Sequence, residues 1–407
     1  MDKKLLTICL FFFLFCGLHA QSYEVGKTYF GKNDYVQYRA GNIPIIITAP
    51  HGGRLKPEGI PDRKCAGCVV EMDANTKELA WQIDSALQIE FGGLPHIIVN
   101  ELHRSKFDAN RDIDDAADGN AAVEISFHEW HQFIQAAKDD IKARFGKGLL
   151  IDLHGHGHAV QRLEIGYLLQ DDDWRKSDKT LDTPQYFKRT GIKNLILHNV
   201  DSLSGSEMLR GAFALGTLLA VNGYPAVPSV QDPAPQKEET YFDGGYNTQR
   251  HGSRDSTTID AIQIECNNKG VRNSYVLRRA FATKLALVLK TYLKKHYFPT
   301  MTPVSLAAFT VKPIDSTQAK GNRLTWKTYS EVRMSGFDIQ RSTDGKVFSK
   351  WKTVESKALG GNSNTPLEYT IDDETPLSKT TIYRLKLKEI SGKFIFSPMV
   401  TVESPTK

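Results

Sequence analysis

Residues 21 to about 299 alternate two kinds of apolar patterning. Short continuous apolar runs, "PIIITAP" (44–50), "PHIIVNEL" (95–102), "GLLIDLH" (148–154), "LEIGYLL" (163–169) and "DAIQIE" (260–265), read as buried strands, with "NLILHNV" (194–200) a further candidate. Between them run longer stretches with apolar residues at helical spacing: "ANTKELAWQIDSALQIEF" (74–91), "AVEISFHEWHQFIQAAKDDIKARF" (122–145), "EMLRGAFALGTLLAVNG" (207–223) and "SYVLRRAFATKLALVLKTYLKKHYF" (274–298). Asn75 with Glu78 forms a candidate capping box, and Gly223 is placed to close its helix. Strands that alternate with helices predict an α/β domain, a mostly parallel sheet flanked by helices.

The pattern changes around residues 297 to 306. "FPTMTPVSLAAF" holds two prolines and predicts a linker over 300–308. Beyond it the runs are short and alternate with period two, as in "NRLTWKTY", "SGFDIQRST", "LEYTIDD" and "TIYRLKLKEI", with turn signals between them. That spacing predicts a separate all-β sandwich over 309–407, its core built on Trp326, Phe337, Tyr369 and Tyr383.

The N-terminus follows neither pattern. Lys3 and Lys4, an apolar core and "LHA" before Gln21 predict a signal peptide over 1–20, cut after Ala20. The apolar stretch is short for a membrane span. The mature chain is therefore expected to be secreted or periplasmic, with cell-surface association open, and without a transmembrane segment. Cleavage removes Cys9 and Cys16. Of the three cysteines left, Cys65 and Cys68 are expected to pair locally and Cys266 to stay a buried thiol. A net charge of +5, spread evenly over 407 residues, includes no basic tract of the kind that binds nucleic acid.

Four polar stretches fall at the ends of predicted strands, where sites collect in open α/β sheets. His51 follows "IIITAP", His154 follows "LLID", Glu265 ends "DAIQI", and "ELHRSKFDANRD" follows "IIVN". A catalytic zinc takes three ligands from histidines and carboxylates and keeps one position for water. His51 and His154 are the imidazole candidates. The carboxylate is Asp73, or alternatively Glu71, in "VVEMDANTKELA". Glu265, a carboxylate on an apolar strand, is the candidate base; a salt bridge to Arg272 is its structural alternative. Arg111 suits a bidentate grip on a substrate carboxylate, with Asn110 beside it. Arg104 and Asp108 are placed to pair and shape their loop. "YFDGGYNTQRHG" (241–252), with Tyr246, Arg250 and His251, reads as a mobile or ligand-covering loop.

"LLIDLHGHGHAV" (149–160) sets His154, His156 and His158 at alternate positions, on one face of a strand with Asp152. Gly155 and Gly157 argue against continuation of the strand. The strand is expected to end near His154, with Asp152 supporting that ligand and His156 and His158 on a rim loop, His156 toward substrate.

The ordered stretches "APHGG", "EMDANTKELA", "RSKFDANR", "LLIDLHGHGH", "FDGGYNTQRHG" and "IQIECNNKGVR" resemble the N-formylglutamate amidohydrolase family over most of residues 40 to 290. The resemblance implies a zinc-peptidase/phosphorylase-hydrolase-like fold, with one Zn2+ on His51, Asp73 (or Glu71) and His154. It also implies Glu265 as base and Arg111 as a carboxylate clamp, with Asn110 nearby. The C-terminal strands resemble fibronectin type III-like modules of secreted Bacteroidetes enzymes. A signal peptide and a sandwich set the chain apart from the family's cytoplasmic members, so the reaction class transfers and the substrate does not. The expected activity is hydrolysis of an amide next to a free carboxylate, in an N-acyl amino acid or short peptide. One rival is a zinc-dependent peptidoglycan amidase or carboxypeptidase acting on cell-wall peptide, for which Glu71 would replace Asp73. The other is a non-catalytic surface binding protein with a decayed enzyme domain.

Overall fold

The structure is a computed structural model that describes residues 23–199, 201–298, 304–314, 321–331, 334–363, 365–377, 380–390, 392 and 394–403. The expected signal peptide, with Cys9 and Cys16, lies outside the described residues. Among the described residues no helix is long and apolar enough to cross a membrane.

The first unit is built on an eight-stranded sheet. Its strands are β1 (Thr28–Phe30), β2 (Val36–Arg39), β3 (Ile45–Ala49), β4 (His96–Asn100), β5 (Gly148–His156), β6 (Leu163–Gly166), β7 (Ala226–Val227) and β8 (Ile259–Asn267), in the order β1-β2-β4-β3-β5-β8-β6-β7. The central pairings β4–β3, β3–β5 and β5–β8 are parallel, while β2 and β6 join antiparallel on either side. The continuous apolar runs arise because both faces of the central strands are covered. Ile45, Ile47, Leu149, Ile151, Leu153, Ile262 and Ile264 pack on one face under the helices Thr76–Phe91 and Tyr275–His296. Ile46, Leu150, Ile259 and Ala261 face the other way, under Trp130, Ile134 and Ile141 of the helix Ala121–Phe145.

That second face changes character toward the carboxyl ends of the strands. Beyond Ile46, Leu150 and Ala261 the same alternation presents Thr48 on β3, Asp152, His154 and His156 on β5, and Gln263, Glu265 and Asn267 on β8, all buried. The ladder sets Thr48 opposite Asp152, Asp152 opposite Gln263, and His154 opposite Glu265. Glu164 of β6 stands opposite Glu265 on the other side.

Several local expectations give way. "NLILHNV" folds as the helix Lys193–His198, not a strand: its apolar Leu195 and Ile196 are covered by the core without joining the sheet. Asn75 precedes its helix in a left-handed conformation and makes no capping bond; its amide holds Arg272 O at 3.1 Å instead. Thr76 and the backbone of Asp73 close that helix start. Within the expected loop 241–252, residues 246–251 are helical. Cys65 and Cys68 form a disulfide, and Cys266 is buried and free.

The second unit is two antiparallel sheets. β13 (Leu367–Asp373), β10 (Asn322–Glu331) and β9 (Val304–Pro313) make one; β12 (Ser349–Glu355), β11 (Met334–Ser342), β14 (Thr380–Glu389) and β15 (Phe394–Phe396) make the other, with β16 (Val400–Glu403) also on β14. β9 begins at Val304, inside the stretch expected as linker. Trp326 and Tyr369 stack with ring centroids 5.1 Å apart, and Phe337, Leu324, Ile339 and Tyr383 complete the core.

Candidate metal centre

His51 is the second residue after β3 and is 1 % exposed. The chain leaves through the disulfide loop and returns so that Asp73 N–H donates to His51 O at 3.0 Å, which sets the Asp73 carboxylate beside the imidazole. His154 enters from β5. The Nδ1 atoms of His51 and His154 then converge on one atom, Asp73 Oδ2, at 3.3 and 3.2 Å. The three residues are buried and offer ligand atoms within 4.8 Å of one another. Glu71, the alternative carboxylate, is exposed and outside this group.

The distal nitrogens decide what those Nδ1 atoms are. His51 Nε2 lies 2.6 Å from Asp108 Oδ1, and His154 Nε2 lies 2.9 Å from Asp152 Oδ2. An ionised carboxylate only accepts, so both rings carry their protons on Nε2. A lone pair on each Nδ1 is thereby aimed at Asp73. Two such lone pairs and a carboxylate converging on one point could hold a cation, and a carboxylate behind each imidazole is how metal-binding histidines are oriented. Asp108 is itself held by Arg104 Nε at 2.9 Å and Arg63 Nη2 at 3.6 Å, and it accepts from Asn110 N at 3.0 Å. Asp152 accepts from Thr48 Oγ1 at 2.6 Å.

The electrostatics agree. Burial opposes ionisation of Asp73, yet His51 and His154 outweigh it and hold the carboxyl well below its usual range. Burial likewise opposes charge on His154, but Asp152, Asp73 and Glu265 raise its pKa well above the ordinary value. The carboxylates thus favour positive charge where the three groups meet, whether as a second proton on His154 or as a bound ion.

Glu265 Oε1 lies 3.9 Å from His154 Nδ1 and accepts from Gln263 Nε2 at 3.0 Å. Its Oε2 is buried with no hydrogen-bond partner among the described residues. Burial pushes its pKa up to about 8; His154 counters this, and Asp73 and Glu164 add to it. Arg272 does not pair with it. That guanidinium instead donates to the carbonyls of Cys266 (2.8 Å), His156 (2.9 Å) and Ala74. It thus ties together the three backbone segments that carry Glu265, His154 and Asp73. A Cβ on Gly155 would overlap the guanidinium, so any side chain there would force Arg272 off its carbonyl partners.

The other candidate residues are placed as follows. Asn110 Nδ2 is 3.2 Å from His154 Nε2, and its Oδ1 accepts from Asn247 N at 2.8 Å. Arg104 reaches Asp108 and comes within 3.6 Å of Asp73. Arg111 is half-buried, with Nη1 donating to Asn110 O at 3.0 Å. Tyr246 accepts from Arg250 through its hydroxyl, and His251 Nε2 meets His131 Nδ1 at 2.8 Å; neither joins the metal group. A cleft of about 440 Å³, lined in part by Arg189, Gly245, Tyr246 and Arg254, is not lined by the metal group and reaches it only where Gly245 packs on Asn110. β5 runs two residues further than expected, so His156 is a buried strand residue rather than a rim residue; its Nε2 donates to Arg162 O at 2.8 Å. The sequence reading missed Arg63, the carboxylate role of Asp108 and the carbonyl-binding role of Arg272. Their signal is spatial: each has a partner at least 41 positions away, Arg104 for Arg63, His51 for Asp108 and His156 for Arg272.

No family model matches the chain, and no curated protein matches it. Among solved structures, an N-formylglutamate amidohydrolase from Ralstonia eutropha JMP134 is similar at 14% identity, with 63% of this chain and 94% of that chain covered and a TM-score of 0.38. A protein from Shewanella amazonensis SB2B, assigned only provisionally as a metallopeptidase, is similar at 15% identity, with 64% and 80% covered and a TM-score of 0.28. A structure named BhCBM56 is similar at 12% identity over 25% of this chain and 95% of its own, with a TM-score of 0.15.

Proposed function

We propose that the chain is a secreted, metal-dependent amide hydrolase, with His51, Asp73 and His154 holding one divalent ion of the zinc type. The supporting observation is the convergence of two Nδ1 lone pairs on Asp73 Oδ2, with both Nε2 protons anchored on buried carboxylates. Two imidazoles and a carboxylate are a catalytic zinc donor set, and such an ion supplies a polarised carbonyl and a water of lowered pKa. Glu265 is the proton carrier. Its unpartnered Oε2 takes the proton of the attacking water and delivers it to the leaving nitrogen. Hydroxide adds to the acyl carbon, the C–N bond breaks, and the proton ends on the amine. Positive charge held by His51, Asp73 and His154 would oppose the burial that raises the Glu265 pKa. Asn110 borders the same space, and Arg111, whose single side-chain hydrogen bond among the described residues is to Asn110 O, has donors left for a substrate carboxylate. The substrate class is therefore an N-acyl amino acid or short peptide with a free carboxylate. The exposure of Glu71 disfavours the cell-wall amidase reading that needs it as ligand.

Glu265→Gln should keep the metal and lose turnover on a panel of acyl amino acids. Retained turnover would place the base elsewhere. Arg111→Ala should raise KM for free carboxylates more than for their amides; an equal effect on both removes the clamp.

A further inference from the structure

A second group of side chains that could hold a metal lies next to the first, at the ends of β5 and β6. His156, His158 and Glu164 offer ligand atoms within 4.8 Å of one another. His156 is two residues beyond His154 on β5, one strand step of about 7 Å along the same face. Glu164 lies on β6, in register with Glu265. It is 1 % exposed, and its single ion-pair partner among the described residues is His158, at 2.8 Å from Nδ1 to Oε1. Its cross-strand neighbour is another buried carboxylate. A cation beside Glu164 would favour the ionised form of these neighbouring buried carboxylates.

Hydrogen bonds fix the orientation of the three side chains. His156 Nε2 donates to Arg162 O at 2.8 Å, and its Nδ1 accepts from the His158 backbone N–H at 3.1 Å, a bond that an ion on Nδ1 would displace. A backbone carbonyl behind the distal nitrogen is a usual orienting partner for a metal-bound imidazole. Glu164 Oε2 is fixed by Phe242 N–H at 2.8 Å, so the carboxylate cannot turn away. The His156 and His158 rings have centroids 4.7 Å apart.

We propose that His156, His158 and Glu164 form a second divalent-cation site, of zinc-type His/His/Glu chemistry. The ion replaces the proton between His158 and Glu164. Through Glu164 and Phe242 it ties the ends of β5 and β6 to the 241–245 strap. Arg162, the nearest cation in sequence to Glu164, is engaged with Asp232 and Glu239 and does not compete.

The test is metal counting on the full chain, stripped with a chelator and re-equilibrated in buffered zinc. Wild type should bind two ions, with one each in His158→Ala and His154→Ala. His158 is partly exposed, so its truncation leaves the core intact; a circular dichroism melt checks this, and His158→Gln repeats the count with a bulkier side chain. Two ions retained in both His158 variants would overturn the proposal, as would a single ion that those variants keep. A single ion lost in His158→Ala but kept in His154→Ala would support this site while refuting the ligand set above. Cobalt substitution reads the same sites by absorbance, independently of any activity.

Discussion

Replacing Asp108 by asparagine tests the metal centre at a residue that would not touch the ion. Asp108 Oδ1 accepts from His51 Nε2 at 2.6 Å and from Asn110 N at 3.0 Å; Oδ2 accepts from Arg104 Nε at 2.9 Å, with Arg63 Nη2 at 3.6 Å. All four are obligate donors when the His51 proton sits on Nε2. An asparagine therefore has no good orientation. With its NH2 toward His51, the imidazole proton must move to Nδ1, where it blocks the lone pair aimed at Asp73. With its NH2 toward Arg104, a buried guanidinium loses its carboxylate. The first outcome lowers metal affinity by about 10- to 100-fold, equivalent to about 1.4 to 2.7 kcal/mol. The second destabilises the fold by about 3 kcal/mol, the lower end for a broken buried ion pair. Competition against a chromophoric chelator measures the affinity, and thermal melts of metal-free protein measure the stability. Unchanged metal affinity together with an unchanged melt would refute the tautomer argument and the ligand role of His51 Nδ1.

Three further outcomes are expected. Gly155→Ala drives a methyl group into the Arg272 guanidinium and frees the carbonyls of Cys266 and His156, for a loss of about 1–3 kcal/mol in denaturant titration; a neutral result would mean that Arg272 binds elsewhere. Burial pushes Asp260 up to about 7 from 3.8, so the folded chain holds a proton that the unfolded chain releases. Stability should then fall as pH rises from about 4 to about 7, by at most about 4 kcal/mol, and Asp260→Asn should flatten that slope. Trp326→Ala removes a 2 % exposed ring stacked on Tyr369 and should lower the sandwich's calorimetric transition by about 3–5 kcal/mol equivalent, leaving metal affinity unchanged.

Strand and helix alternation, the change to short β repeats after residue 300, and the position of His51, His154 and Glu265 toward the carboxyl ends of strands were legible in the sequence because period and apolar content are local properties, although β5 and β8 each run two residues further than expected. So was the Arg104–Asp108 pair, four residues apart. The choice between Asp73 and Glu71 was not. Both precede the same helix, and only the return of the chain onto His51 O buries one and exposes the other. "NLILHNV" misled because so short an apolar run has no period to separate helix from strand; of its apolar residues Leu195 and Ile196 are buried and Leu197 is exposed. The three alternate histidines show the limit most directly. Their glycines argued for a loop, but Gly155 is there to admit Arg272, which closes the strand end from more than a hundred residues away. The sequence by itself determined which residue types could meet at the sheet edge. Which nitrogen carries a proton, which carboxylate stands behind each ring, and that Glu164 faces Glu265 were decided only by strand register and tertiary packing, because hydrogen-bond partners are chosen by position in space.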